Sequence, residues 1–282
     1  MMNSTSDRQK KIAVVGDLTG YGRCALTVSL PLLSAHGFQA CPVPTAVLSN
    51  HTGFPSFFMK DFTDYLPEYF TEWERLHLSF DGFLTGFLGS VQQVDFVIDM
   101  LQRFRTASSL VVVDPVMGDN GTAYQTITQT HCREMKKLSV LADILTPNLT
   151  EACLLAGVRY RDRFSRKELL QIAEELITKP GQRLVITGLE ENGRIGSFYA
   201  VRNSDTSLKS GMFTNPKIAG MRCGTGDVFS SLITADALLE KDFPASVRQS
   251  GRFVCKCLAA AAARGIEEQN GVCFEDFLRL KR

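Results

Sequence analysis

The sequence predicts an α/β domain built on a central, mostly parallel sheet. Five short apolar strand candidates alternate with segments of helical period, and four of those strands stop in glycine or in acidic and polar turns. No repeat or low-complexity linker divides the chain.

The first strand candidate is Ile12 to Val15 within Lys11–Gly16, followed by Asp17-Leu-Thr-Gly-Tyr-Gly22, which reads as a tight polar turn. Leu26 to His36 offers a helix disturbed by Pro31. Gln39 to Leu48 carries Pro42 and Pro44, which argue against a central strand and for an edge or projecting segment. A helix is expected around Tyr65 to Leu76, then strand and turn over Phe80 to Phe87. Val91, Val94, Val97, Ile98, Leu101 and Phe104 recur at helical spacing, and Leu110 to Val113 forms a β-branched strand ending in Asp114-Pro115.

Leu138 to Leu145 leads into Thr146-Pro-Asn-Leu-Thr-Glu151, and a helix over Ser165 to Ile177 precedes the strand Arg183 to Ile186 with its polar turn Thr187-Gly188. Ile195 to Val201 and Leu208 to Met212 are shorter strands suited to antiparallel pairing at one side. Helices follow over Val228 to Leu239 and Ala245 to Arg264, and Glu275 to Arg279 suits a small surface helix.

At 282 residues, 44% hydrophobic and 22% charged, the chain is of ordinary globular composition and can bury a large core without disulfides. A formal net charge of +1 gives no electrostatic reason to expect nucleic acid or an anionic membrane as partner. The eight cysteines form no Cys-x-x-Cys pair, and no apolar export segment follows the polar N-terminus, so reduced thiols and a cytoplasmic location are expected. No apolar stretch approaches the about 20 residues of a membrane span.

The most informative motif is Met221-Arg-Cys-Gly-Thr-Gly-Asp227, immediately before an apolar helix. Its glycines let the backbone turn closely around a ligand, and free amides at a helix start attract an anion. Asp227 beside them suits proton withdrawal from a hydroxyl during phosphoryl transfer. By pattern alone, a plain turn with Asp227 as a helix cap remains open.

Asp114-Pro-Val-Met-Gly-Asp119 and Asn148-Leu-Thr-Glu151 follow successive strands, so Asp114, Asn148 and Glu151 could hold hydrated Mg²⁺. The same residues suit a turn former, a loop cap and a helix-start charge. Thr187 and Gly188 could approach a nucleotide, while His51 within Ser49-Asn-His-Thr-Gly53 could line a substrate pocket or be an ordinary loop histidine. Cys223, beside the proposed cradle, is either a packing residue or a reactive thiol. Neither a full dinucleotide-binding glycine pattern nor a P-loop is present.

Together, Gly16-Asp-Leu-Thr-Gly-Tyr-Gly-Arg-Cys24, Pro44-Thr-Ala-Val-Leu-Ser-Asn-His-Thr-Gly53, Leu84-Thr-Gly-Phe87, Asp114 to Asp119, Ala142-Asp-Ile-Leu-Thr-Pro-Asn148 with Glu151, and Cys223-Gly-Thr-Gly-Asp227 resemble the pyridoxal (vitamin B6) kinase family. The resemblance implies a ribokinase-like three-layer α/β/α fold as one domain over 8–282, with small lid elements within 42–60 and 211–220. It implies ATP-dependent phosphorylation of the 5′-hydroxymethyl group of pyridoxal, pyridoxamine or pyridoxine. Asp227 is then the catalytic base, and Gly224, Thr225 and Gly226 form the anion hole. Asp114, Asn148 and Glu151 belong to the metal and phosphate environment, with Asp114 and Glu151 towards Mg²⁺, and Thr187 with Gly188 approaches ATP. Asp17, His51, Thr52 and Phe87 fall on the substrate side.

ATP and Mg²⁺ are the implied cofactors, with a monovalent cation such as K⁺ open as a third, and a homodimer is the implied assembly. Asp17 stands where many pyridoxal kinases have serine, and Phe87 where some relatives have tyrosine. The aspartate suits a protonated ring nitrogen, and equally a hydroxymethylpyrimidine. A hydroxymethylpyrimidine kinase and a non-catalytic nucleotide or vitamer sensor are the alternatives.

Overall fold

The computed structural model describes residues 8–220 and 222–278. The chain runs through β1 (Lys11–Tyr21), α1 (Leu26–Ala35), β2 (Gln39–Asn50), β3 (Met59–Asp61), α2 (Leu66–Arg75), β4 (Phe80–Thr85), α3 (Val91–Phe104) and β5 (Arg105–Val113). A small hairpin of β6 (Gly118–Asp119) and β7 (Thr122–Ala123) precedes α4 (Gln129–Leu141), β8 (Ile144–Leu145), α5 (Leu149–Ala156) and α6 (Arg166–Leu176). Then come β9 (Arg183–Glu191), β10 (Arg194–Arg202), β11 (Leu208–Pro216), α7 (Thr225–Leu238) and α8 (Phe243–Ala263).

The main sheet has nine strands in the order β11-β10-β9-β8-β5-β4-β1-β2-β3. From β9 to β2 every pairing is parallel, while β3, β10 and β11 pair antiparallel at the two margins. Successive side chains of a strand point to opposite faces, so Ala13 and Val15 enter the core under α2 to α6, whereas Ile12 and Val14 meet the core under α1, α7 and α8. That alternation makes the three layers expected from the sequence. Phe70, Trp73, Phe80 and Phe104 interlock at one end of the first core.

Capping sets several helix starts. Ser90 and Thr128 accept the amides of Gln93 and His131, and Ser165 with Glu168 forms a reciprocal capping box. α4 goes unread in the sequence because its buried face contains only Met135 and Leu138 as large apolar residues, completed by His131 and Ser139. Among the described residues no helix is long and apolar enough to cross a membrane, and the eight cysteines are free.

Several expectations need correction. The chain does not turn at Asp17. β1 continues to Tyr21 beside β2, and the register moves from Gly16↔Pro44 to Leu18↔Val47, so β2 absorbs one extra residue as a bulge. β4 pairs with β1 only over Ile12–Val15, so the two strands run past the sheet as a ribbon. Pro42 and Pro44 do sit on an open edge, since β3 covers only Ala46–Leu48, yet they belong to a full strand. The 42–60 lid element is thus the end of β2, a turn, and β3.

Thr187 and Gly188 likewise form no turn. They lie within β9 as a bulge opposite β10, where Gly188 takes φ 76. In the 211–220 lid element, 211–216 is margin strand β11 and only 217–220 is irregular. At the expected final helix only Glu275–Phe277 form a 3₁₀ turn; Arg279, like Met221 of the glycine motif, lies outside the described residues.

Phe70 is fully buried. Phe70→Ala should lower unfolding free energy by about 3–5 kcal/mol, read as a shifted urea midpoint at unchanged slope.

Candidate active site

The carboxyl ends of β1, β4, β5, β8 and β9 share one edge of the sheet, so residues following them converge. Asp114 leaves β5 with its amide on the Thr85 carbonyl at 3.0 Å, and its side chain is buried. Asn148 caps α5: its Oδ1 accepts the Glu151 amide at 2.9 Å, and Glu151 Oε2 accepts the Asn148 amide at 2.8 Å. Glu151 Oε1 also takes the Met117 amide at 3.1 Å, which ties the loop after Asp114 to α5. Thr187 bridges to Asn148 and donates its amide to Pro147 O at 3.0 Å. Asp114, Asn148, Glu151 and Thr187 therefore form one group, while the exposed Gly188 borders it.

Gly224 turns the chain into α7 at φ 87, and a Cβ there would lie 2.1 Å from the Arg23 carbonyl oxygen. Only glycine permits that approach. No side chain among the described residues caps α7, so the amides at its start, at Gly224, Thr225 and Gly226, are open to an anion. Asp227 does not cap its own helix; its Oδ2 accepts the Ala25 amide at 2.8 Å, reaching across to the start of α1. Gly226 stands next to Asp114, with a Cβ position 3.8 Å from Oδ2. A cavity of about 10 Å³ between Asp114 and Asp227 is lined also by Thr85 and Ser230.

These carboxyls repel one another in a poorly solvated place. Burial pushes the Asp227 pKa up to about 6, against the pull of the Ala25 amide and with help from the Asp17 charge. Asp114 is raised by burial and then by Asp227, while the hydroxyls of Ser230 and Thr146 act the other way. Burial and the Asp114 charge raise Glu151, opposed by the amides of Asn148 and Met117.

Among the residues expected to face substrate, Asp17 is buried and accepts the Thr19 hydroxyl at 2.6 Å. Burial raises its pKa, and His51 acts to lower it, so the structure brings Asp17 and His51 within electrostatic reach. His51 Nε2 donates to Gln269 O at 2.6 Å and Nδ1 accepts from Gly53 N at 3.1 Å, docking the ribbon tip on the C-terminal segment. Thr52 is exposed at that tip; Phe87 is half-buried at the ribbon root, its carbonyl accepting the Thr45 hydroxyl at 3.1 Å. No hydrogen bond among the described residues joins Thr52 or Phe87 to Asp17.

Sequence reasoning missed Ala25, whose contribution is a backbone donor with no residue signature. It also missed Tyr124, whose hydroxyl pKa is raised by burial and then by the charges of Glu151, Asp119, Asp114 and Asp227. Arg23 and Arg222 hold the C-terminal segment through the carbonyls of Asn270 and Glu267 at 3.0 and 2.8 Å. Nothing local in the sequence marks these long-range contacts.

A three-layer sheet with carboxylates on its carboxyl edge and a glycine loop opening a helix over them defines a small-molecule kinase of the ribokinase-like fold. The phosphomethylpyrimidine kinase family matches residues 33–272, and the chain belongs to that family. It is 28% identical over 238 residues to a pyridoxal kinase of Arabidopsis thaliana, covering 82% of this chain and 74% of that one. A Bacteroides thetaiotaomicron protein, provisionally described as a phosphomethylpyrimidine kinase and crystallised with pyridoxal, superposes with a TM-score of 0.87 at 35% identity, over 96% of this chain and 94% of its own. Pyridoxal kinase from Lactobacillus plantarum gives 0.87 at 28% identity, over 96% of both chains.

A carboxyl whose pKa is raised in the folded state stabilises the fold less as pH climbs from its unfolded to its folded value. Asp114→Asn should therefore raise Tm by about 2–4 °C at pH 8, with the gain shrinking below pH ~4. Calorimetry at the two pH values checks this.

Proposed function

We propose that the chain transfers the γ-phosphoryl group of ATP to the 5′-hydroxymethyl group of pyridoxal, pyridoxamine or pyridoxine, with Asp227 as the base. The observation that carries this reading is the Asp227 carboxylate, held by the Ala25 amide beside the open first turn of α7. As the substrate oxygen attacks the γ-phosphorus, Asp227 takes its proton. A pKa near 6 leaves Asp227 ionised at neutral pH and more basic than an ordinary carboxylate. Amides of Gly224 to Gly226 stabilise the phosphoryl oxygens. Asn148, Thr187 and Gly188 border the nucleotide. Asp17 meets the ring nitrogen, with His51, Thr52 and Phe87 around the ring. The ribbon at 42–60 and the segment 217–220 exclude water.

Asp114 and Glu151 fit Mg²⁺: both are buried, neither forms an ion pair among the described residues, and the charge of Asp114 raises Glu151. Mg²⁺ ordinarily binds through one or two carboxylates together with substrate phosphates and retained waters. Bound there, Mg²⁺ would offset phosphate charge. A monovalent cation, a cytoplasmic homodimer and the absence of nucleic-acid or membrane partners belong to the same reading, supported by the resemblance and the near-neutral charge.

Asp17 favours a second reading, a hydroxymethylpyrimidine kinase, because a buried carboxylate serves either protonated heterocycle. ADP formation measured across the three vitamers and hydroxymethylpyrimidine separates the two, and binding without product would indicate a sensor. With the preferred substrate, kcat/KM should fall on acidification with a midpoint near pH 6, because the base works unprotonated. Asp227→Asn should lower turnover by about 10²–10⁴-fold with unchanged circular dichroism; near-normal turnover would overturn the base assignment.

A further inference from the structure

Two cysteines far apart in sequence meet at the mouth of this site. The Arg23 carbonyl packs on Gly224, at 2.1 Å from where a Cβ would be, and the Ala25 amide binds Asp227 at 2.8 Å. Cys24 lies between Arg23 and Ala25, and Cys223 directly precedes Gly224, so the two backbone contacts bracket the pair. That bracketing sets the two side chains side by side, close enough for each thiol to shift the pKa of the other, and both residues are partly exposed. The remaining described cysteines include Cys153, Cys257 and Cys273, all buried.

We propose that Cys24 and Cys223 are a redox modification site: hydrogen peroxide converts them to a disulfide that clamps the Gly22–Ala25 turn onto the glycine loop and stops phosphoryl transfer until a thiol reduces it. The effect on catalysis rests on the function proposed above; formation of the bond does not.

In the first step the Cys223 thiolate attacks one peroxide oxygen, the O–O bond breaks, and the departing hydroxide takes a proton to become water, leaving a sulfenic acid. The Cys24 sulfur then attacks that of Cys223. An S–S bond forms, the S–O bond breaks, and the hydroxyl leaves with the Cys24 proton as a second water. Two thiols are oxidised and one peroxide is reduced. The direction of attack follows from the contact: the Cys24 thiol as donor lowers the Cys223 pKa, with Arg222 assisting, while Cys24 is raised. Cys223 is thus the attacking sulfur and Cys24 the resolving one.

Clamping matters because Gly224 sets the direction of the first-turn amides and Ala25 holds Asp227. Drawing Cys223 towards Cys24 displaces both at once, and a shift of about 1 Å in a reacting constellation costs about 100-fold in rate.

The test exposes the full-length reduced protein to hydrogen peroxide, blocks remaining thiols with an alkylating agent, and maps peptides by mass spectrometry without reduction. A Cys24–Cys223 cross-linked peptide is expected, with a fall in vitamer phosphorylation of about 100-fold that dithiothreitol reverses. Cys24→Ser should match the wild type before oxidation. After it, the variant should carry over-oxidised Cys223 and fail to recover with dithiothreitol. Absence of the cross-linked peptide from the wild type, or its presence with undiminished turnover, overturns the proposal, and neither result depends on how the variant folds. A protein that bridges the two cysteines yet phosphorylates no substrate before oxidation supports the thiol pair and overturns the proposed function.

Discussion

The close seam between the turn before α1 and the loop before α7 organises the site. Gly224 lets the backbones meet at Arg23, and one turn later the Ala25 amide, 202 residues away in sequence, fixes Asp227. A side chain at position 224 would push the seam apart and release the carboxylate from its donor. The other carboxyls on this edge of the sheet surround a carboxylate whose direction is set by that contact.

The second organising feature is electrostatic conflict. Asp114, Glu151, Asp227 and Asp17 occupy buried or half-buried positions, and each is raised first by loss of solvent. Such groups cost folding free energy when ionised. The neighbouring structure is correspondingly well satisfied: Glu151 accepts two amides, and the Asn148 side chain also donates to Gly118 O at 2.8 Å. The surrounding hydrogen bonds fix carboxyls that form no ion pair among the described residues.

Much of this is legible in the sequence. Apolar runs bounded by glycine and acids located β1, β4, β5 and β9, and their parallel order placed Asp114, Asn148 and Glu151 together. The alternatives weighed for individual residues resolve differently. Asn148 and Glu151 are a cap and a helix-start charge, as their residue types allow, whereas Asp227 caps nothing in its own helix. What escaped was set by tertiary context. The far half of β1 and the bulge in β9 look like turns because glycine and polar residues serve both, and α4 is hidden because a buried histidine and serine stand where apolar residues would mark the period. The Ala25 amide and the clasp of the C-terminal segment arise from backbone atoms brought together by the whole fold.

That clasp bears on how the molecule is made. His51 reaches Gln269, and Arg23 reaches Asn270, across 218 and 247 residues. A chain emerging from the ribosome exposes its acidic strand ends and its ribbon long before their partners exist. Contacts of such span also slow the conformational search. The clasp therefore closes late in biosynthesis, since it joins segments more than 200 residues apart.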